Sequence, residues 1–295
     1  MERTTAMDRV HPGVSLLFFV CAVGGTLLPE HPLFRVCALG GALCCHAVLC
    51  TGGGRFLWRT AAPVCAFAAV LNPLFNHRGA HILFYFPWGN PCTGESLLFG
   101  LSAAALLLCV LLWFRCYTAV MTSEKSLFLF SRAAPSLTLL LRLSLRFVPA
   151  FRRALLRTRD AQTALLGPPR TKKEALRRAF SATRIRLRDA LQTAADTADA
   201  MKSRGYGLPG RTCFAAFRFR GRDAAALLFL LGCALPVFGL WAADGLRFSF
   251  FPLPSGAPVS PLTAFCAALY TALCLFPVIL HRSEVSRWNS CKSTV

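Results

Sequence analysis

Apolar residues gather into six runs along this chain, at 14–28, 33–50, 57–75, 97–116, 224–243 and 262–280. A helix needs roughly 20 largely apolar residues to cross a bilayer. Each run therefore predicts one spanning helix, the first short and with soft ends. Arg3 and Arg9 stand before the first run as they would in a signal peptide. However, no small-x-small site follows, and Phe18-Phe19-Val20-Cys21 is a poor lipoprotein cleavage sequence, so the run reads as a retained span. Between the third and fourth runs, Asn72-Pro73-Leu74-Phe75-Asn76-His77-Arg78-Gly79 and 84–91 carry the Pro, Gly, Asn and aromatic residues of an interfacial loop. Thr93-Gly94-Glu95 then opens the fourth span with a capping residue and an acid in the first turn. A second loop, rich in proline, covers 251–261.

Between the fourth and fifth runs the pattern becomes amphipathic. Residues 136–166 read as a helix, apolar over 137–145 and increasingly basic toward Arg159. Arg142, Arg146, Arg153 and Arg157 share one of its faces. Pro149 is a candidate kink, and Gly167-Pro168-Pro169 ends the helix. A second helix is predicted over 172–204, about 33 residues or roughly 50 Å. Its apolar stripe is Leu176, Phe180, Thr183, Leu187, Leu191, Ala194, Ala198 and Met201, a heptad-like seam that narrows toward Ala194 and Ala198. Arg204 is the next step of three along that seam, a guanidinium where packing alone calls for an apolar side chain. Gly205 follows as the residue just past the helix, and Tyr206-Gly207-Leu208-Pro209-Gly210 cannot continue it. The fold class is all-α: a polytopic membrane protein with about six transmembrane helices and a module of long amphipathic helices.

Charge sharpens this picture. The stretch from Arg115 to Arg222 holds 23 of the 33 Lys and Arg residues and six acids, which is +17 of the net +20. With the N-terminus inside, the inner segments hold Arg3 and Arg9, then Arg55 and Arg59, then the basic stretch, then Arg282, Arg287 and Lys292. The outer loops carry only Arg78 and Arg247, with Arg35 near the start of the second span, so all six spans thread consistently with both ends in the cytoplasm. Three segments result: an N-terminal bundle of about four spans (1–118), a cytoplasmic basic module (119–222), and a C-terminal pair with a tail (223–295).

Most of the fourteen cysteines lie inside apolar runs, where Cys packs as a small hydrophobe. No C-x-x-C pair or Cys/His ligand spacing is apparent, and no metal site is expected. His77 and His81 are four apart, but in a glycine-containing loop that favours interface hydrogen bonding over metal binding. There is no Walker A, H-E-x-x-H or G-x-S-x-G motif, and no carboxylate in the middle of a span to relay protons. Phe180 is the only aromatic between Arg152 and Met201, which argues against nucleic acid as a partner, while anionic lipid headgroups suit these arginines. A chain with spans, no energy-converting site and a large basic arm is expected to borrow its energy from a partner.

Several short pieces, in this order, resemble one family. They are Asn72-Pro73-Leu74-Phe75 with Gly79, Thr93-Gly94-Glu95, Met121-Thr122-Ser123-Glu124-Lys125, Arg146-Phe147-Val148-Pro149, Ala161-Gln162, and Met201-Lys202-Ser203-Arg204-Gly205-Tyr206-Gly207. Together they are similar to the transmembrane T component of energy-coupling-factor importers, the modular ABC-type uptake systems for vitamins and metal ions. The resemblance implies a non-catalytic subunit of a bacterial cytoplasmic (inner) membrane. Its partners would be two ABC-type ATPase subunits, which bind the ATP and Mg, and a substrate-binding membrane S component. It needs no cofactor of its own. The resemblance further implies two coupling helices, each ending in a motif centred on arginine that docks on one ATPase. The second motif is present as Ser203-Arg204-Gly205. At the first, Ala164-Leu165-Leu166 puts leucine where arginine would stand, so an apolar contact is expected there.

Two readings of Arg204 remain at this point: a bidentate bond to a partner carboxylate, or a simple complement to the helix dipole. Arg142 and Arg146 either snorkel toward headgroups or touch a partner. Ala161, Gln162, Ala194 and Ala198 are candidate coupling-helix contacts, the alanines because they permit a close crossing. The alternatives are a stand-alone permease or channel, which needs pore-facing polar residues that are scarce here, and a lipid-modifying membrane enzyme, for which the acids are too dispersed.

Overall fold

The structure is a computed structural model, and it describes residues 7, 10–50, 53–76, 79, 81–85, 91–131, 134–209, 217–250, 255–256 and 260–292. The described chain is nearly all helical. Helices α1 (Pro12–Leu27) and α2 (Pro32–Leu49) are followed by α3 (Gly53–Phe56), a π-helical stretch Leu57–Ala61 and α4 (Ala62–Phe75). Next come α5 (Gly94–Val120), α6 (Ser123–Phe130), α7 (Pro135–Leu166), α8 (Lys172–Ser203), α9 (Gly221–Ala242) and α10 (Pro261–Lys292). Two short antiparallel pairs interrupt them. Strand β1 (Ile82–Tyr85) pairs with β2 (Pro91–Thr93), and β3 (Phe248–Ser249) with β4 (Ser255–Gly256), in the two segments expected as loops.

Local chemistry sets the helix starts. His11 and His31 each precede a proline, and each offers Nδ1 to the N–H two residues on, Gly13 at 3.2 Å and Leu33 at 3.3 Å. The proline at the first helical position lacks an N–H that would otherwise be orphaned. Thr93 caps α5 as expected, its Oγ1 accepting from the Ser96 N–H at 3.3 Å. Asp223 caps α9: its Oδ2 accepts from the Arg220 N–H at 2.9 Å, and its Oδ1 takes the His11 N–H at 3.1 Å.

Four helices among the described residues are long and apolar enough to cross a membrane: α2, α5, α9 and the segment Pro261–Glu284 of α10. The first and third of the six expected spans lie outside that set. Helix α1 is apolar but has only 16 residues. The run at 57–75 is helical throughout but carries a π-turn at Leu57–Ala61, because Pro63 brings no N–H to the ladder. The Ala62 N–H bonds back to the Leu57 carbonyl, five residues away, and the register is restored in α4.

The backbone divides into two units, 1–126 with 217–295, and 127–216. In the first, α5 packs on α1, α2 and α4, while α10 packs on α2 and α9. Phe18 meets Trp113 edge-on at 5.8 Å and lies 6.0 Å from Phe276, and all three are buried. Close approach depends on small residues, as at membrane helix interfaces. A Cβ on Gly41 would come within 2.4 Å of Cys274 Cβ, and one on Gly25 within 2.4 Å of the Tyr270 ring. The Tyr270 hydroxyl donates to the Ala22 carbonyl at 2.9 Å and lies 2.9 Å from Thr26 Oγ1, so its polar tip is satisfied. Cys21, Cys45, Cys109, Cys233, Cys266 and Cys274 are buried free thiols in this core, the packing role their apolar surroundings suggested.

The second unit is built on a hairpin of α7 and α8. Gly167, at φ +69, ends α7. Thr171 caps α8 by accepting from the Glu174 N–H at 3.3 Å, and Glu174 reaches back to the Arg170 N–H at 3.0 Å. That N–H, and then the Arg178 guanidinium, hold the Glu174 carboxyl below its ordinary range. The antiparallel contact runs through Arg178, which donates to the Gly167 carbonyl at 2.5 Å and the Leu166 carbonyl at 3.4 Å, and through Arg186, which bonds Thr158 Oγ1. Ala182, one turn from each arginine, is fully buried.

Candidate functional site

The stripe read as a seam on α8 faces away from α7. Leu176, Phe180, Leu187 and Leu191 are all more than half exposed, while the inward face is Arg178, Ala179, Ala182, Arg186 and Ala190. The close approach of the two helices therefore falls at Ala182, near the connecting turn, and Ala194 and Ala198 are exposed. The five-residue connection is the reason. It forces contact between the end of α7 and the start of α8, where a small residue is needed, and leaves the distal halves uncovered.

The hairpin sets the two predicted motifs at different places along α8. Leu165 is 85% exposed and Leu166 65%, with Ala164 also exposed, on the last turn of α7. This turn is tied to Arg178. From Arg178 to Arg204 is roughly 40 Å of helix at about 1.5 Å per residue. At that far end Arg204 is the C-cap, and Gly205 takes φ +79. The Gly205 N–H bonds the Lys202 carbonyl at 2.9 Å and the Tyr206 N–H bonds the Met201 carbonyl at 3.0 Å, a Schellman closure. Ser203 folds its hydroxyl back onto the Ala200 carbonyl at 3.0 Å. The guanidinium of Arg204 is exposed and has no hydrogen-bond or ion-pair partner among the described residues. Arg142 and Arg146 are exposed on α7, as is Ala161, whereas Gln162 is half-buried with its Oε1 unsatisfied.

Three other motif pieces form packed constellations in the first unit. Gly79, at φ +149, lies against Thr93 and Glu95: a Cβ there would meet Glu95 Oε2 at 2.6 Å and Thr93 Oγ1 at 2.7 Å. Glu95 is buried and accepts the His81 N–H at 3.2 and 3.3 Å. His77 and Arg78 lie outside the described residues. Asn72 and Pro73 pack against Gly100 of α5. Lys125, buried, donates to the Val120 carbonyl at 3.0 Å and the Met7 carbonyl at 3.2 Å, so it closes the C-terminal end of α5. No separate role for Lys125 was visible in the sequence, because main-chain carbonyl acceptors leave no mark in it.

The structure also gathers residues that spacing did not single out. His46 and Cys50, four apart at the end of α2, meet Cys116 of α5, and their ligand atoms all lie within 4.8 Å of one another. The i, i+4 pair was the available signal, hidden among neighbouring cysteines. Elsewhere, a cleft of about 400 Å³ between α9 and α10 is lined by Phe229, Phe276, Ile279, Asp223 and Glu284. Its Asp223 is already committed to two backbone N–H groups.

Neither a protein-family model nor a curated protein matches this chain.

Proposed function

We propose that this chain is the transmembrane coupling subunit of an ATP-driven importer of the energy-coupling-factor type, serving a vitamin or a metal ion. One observation carries the reading. At the end of a 32-residue amphipathic helix stands an exposed arginine with no partner among the described residues, held by a closed cap and next to an exposed apolar stripe. A planar guanidinium so presented can bond a carboxylate bidentately in a partner groove. Its distance from Leu165 and Leu166 suits two docks on two separate subunits. The dipole explanation accounts for a cation near a helix C-terminus, but not for the apolar stripe that leads to it.

On this reading the chain is not an enzyme. It lies in the bacterial cytoplasmic membrane with about six spans, and both termini and the basic module face the cytoplasm. Two ABC-type ATPases bind Mg and ATP and close. Their closure moves the two docked points, at Leu165-Leu166 and at Arg204, and the hairpin passes that motion on by tilting a substrate-binding membrane S component so that its cargo is released inside. Anionic lipids neutralise the remaining arginines.

The test is Arg204→Glu in the full chain, read by co-purification of the ATPases and by ATP-dependent uptake. Uptake should be lost while membrane insertion is retained, and Leu165→Ala should do less harm because a broad apolar contact survives truncation. Wild-type uptake in Arg204→Glu would remove the basis for the reading.

A further inference from the structure

We propose that His46, Cys50 and Cys116 form a binding site for a single thiophilic d10 cation of the Zn²⁺ type, which clamps the end of α2 to α5. The inference does not depend on the transport reading. The three ligand atoms already converge within 4.8 Å of one another. A tetrahedral ion with bonds of about 2.0–2.3 Å wants its ligands about 3.5–3.8 Å apart, so small rotamer adjustments complete the site.

The second observation is independent of this spacing. His46 is 1% exposed, and neither of its ring nitrogens completes a hydrogen bond. A neutral imidazole carries one donor and one acceptor, and leaving such groups unmet costs about 1–3 kcal/mol each. Ligation through one nitrogen removes half of that deficit.

The surroundings fit a cation held by thiolates. The Arg115 guanidinium sits 4.4 Å over the Phe56 ring, and the same ring lies 5.9 Å from the His46 ring. Cys50 Sγ is 3.9 Å from the Arg115 carbonyl. Two thiolates with a neutral imidazole balance the charge of a divalent ion. The neighbouring cysteines are spoken for differently. Cys45 turns to the Cys274 carbonyl at 2.9 Å, and Cys44 is exposed. Two sulfurs and an imidazole select soft and borderline ions over Mg²⁺, Ca²⁺ and Mn²⁺. Three protein ligands leave one position open for a water molecule.

The experiment uses the full chain in detergent with its thiols reduced. Zn²⁺ is titrated against a chromogenic chelator, and Co²⁺ serves as the coloured substitute. The wild type should take up one tight equivalent, with thiolate-to-cobalt charge-transfer absorption. Cys50→Ser should lose that equivalent, whereas Cys44→Ser and Cys21→Ser should keep it. A second measurement needs no mutation: Zn²⁺ should slow maleimide labelling of Cys50 while labelling of the exposed Cys44 is unchanged, read by mass spectrometry. Full binding in Cys50→Ser, or equal labelling of Cys50 with and without Zn²⁺, would overturn the assignment.

Discussion

At the scale of single residues, the cap after α8 matters as much as the arginine it presents. Gly205 sits at φ +79, where an L side chain costs roughly 1–2 kcal/mol. Gly205→Ala should therefore fray the last turn and blur the direction in which Arg204 points, without removing its charge. The expected result is faster amide exchange at Gly205 and Tyr206 and weaker ATPase capture, milder than the loss in Arg204→Glu. Lys125 makes a different kind of prediction. Its ammonium group is buried on two carbonyls, so Lys125→Met keeps the volume but leaves acceptors unmet, at about 1–3 kcal/mol. Thermal unfolding in detergent should show that loss, and an unchanged midpoint would mean that water replaces the ammonium. Both residues stood out in the sequence. Only Gly205 could be given its role there, because a helix end is a local feature and a buried carbonyl partner is not.

At the scale of elements, the start of α5 and the ends of α7 and α8 were legible because each is set by a neighbour in sequence: Thr93 before α5, Gly167 after α7 and Gly205 after α8. The facing of α8 was not. A stripe of Leu176, Phe180, Leu187 and Leu191 reads as a packing seam, yet the short turn brings Ala182 and the two arginines against α7 instead. This separation can be tested with a pair of variants. Ala182→Leu places a large side chain where there is no space, and overpacking of this kind costs about 1–3 kcal/mol. It should open the hairpin, seen as a loss of helical circular dichroism or of a disulfide engineered across α7 and α8. Leu191→Ser alters an exposed position, so it should leave that signal intact and lower coupled uptake. The opposite pattern would restore the seam to the α7 contact. The π-turn before α4 was similarly beyond a hydropathy count, because it depends on one missing N–H at Pro63 rather than on how apolar the run is.

At the scale of the molecule, the two units are held together by very different amounts of burial. The first unit has a core of Phe18, Phe34, Trp113, Tyr270 and Phe276. In the second, Leu127, Thr138 and Ala182 are the buried residues among those described, and α7 exposes Leu137, Leu140, Leu141 and Val148. An element's resistance to opening follows the apolar surface it buries, so the two units should not exchange amide hydrogens alike. In the isolated chain in detergent, amides of α7 and α8 should exchange well before those of α2, α5 and the apolar part of α10. Addition of the ATPases should slow exchange at two separated places, around Leu165 and around Arg204, before the middle of α8 is affected. Such a pattern requires a lever gripped at two points. Uniform protection along α8 would instead describe one continuous interface, and equal protection of both units in the isolated chain would mean that the exposed leucines are covered by something other than a partner.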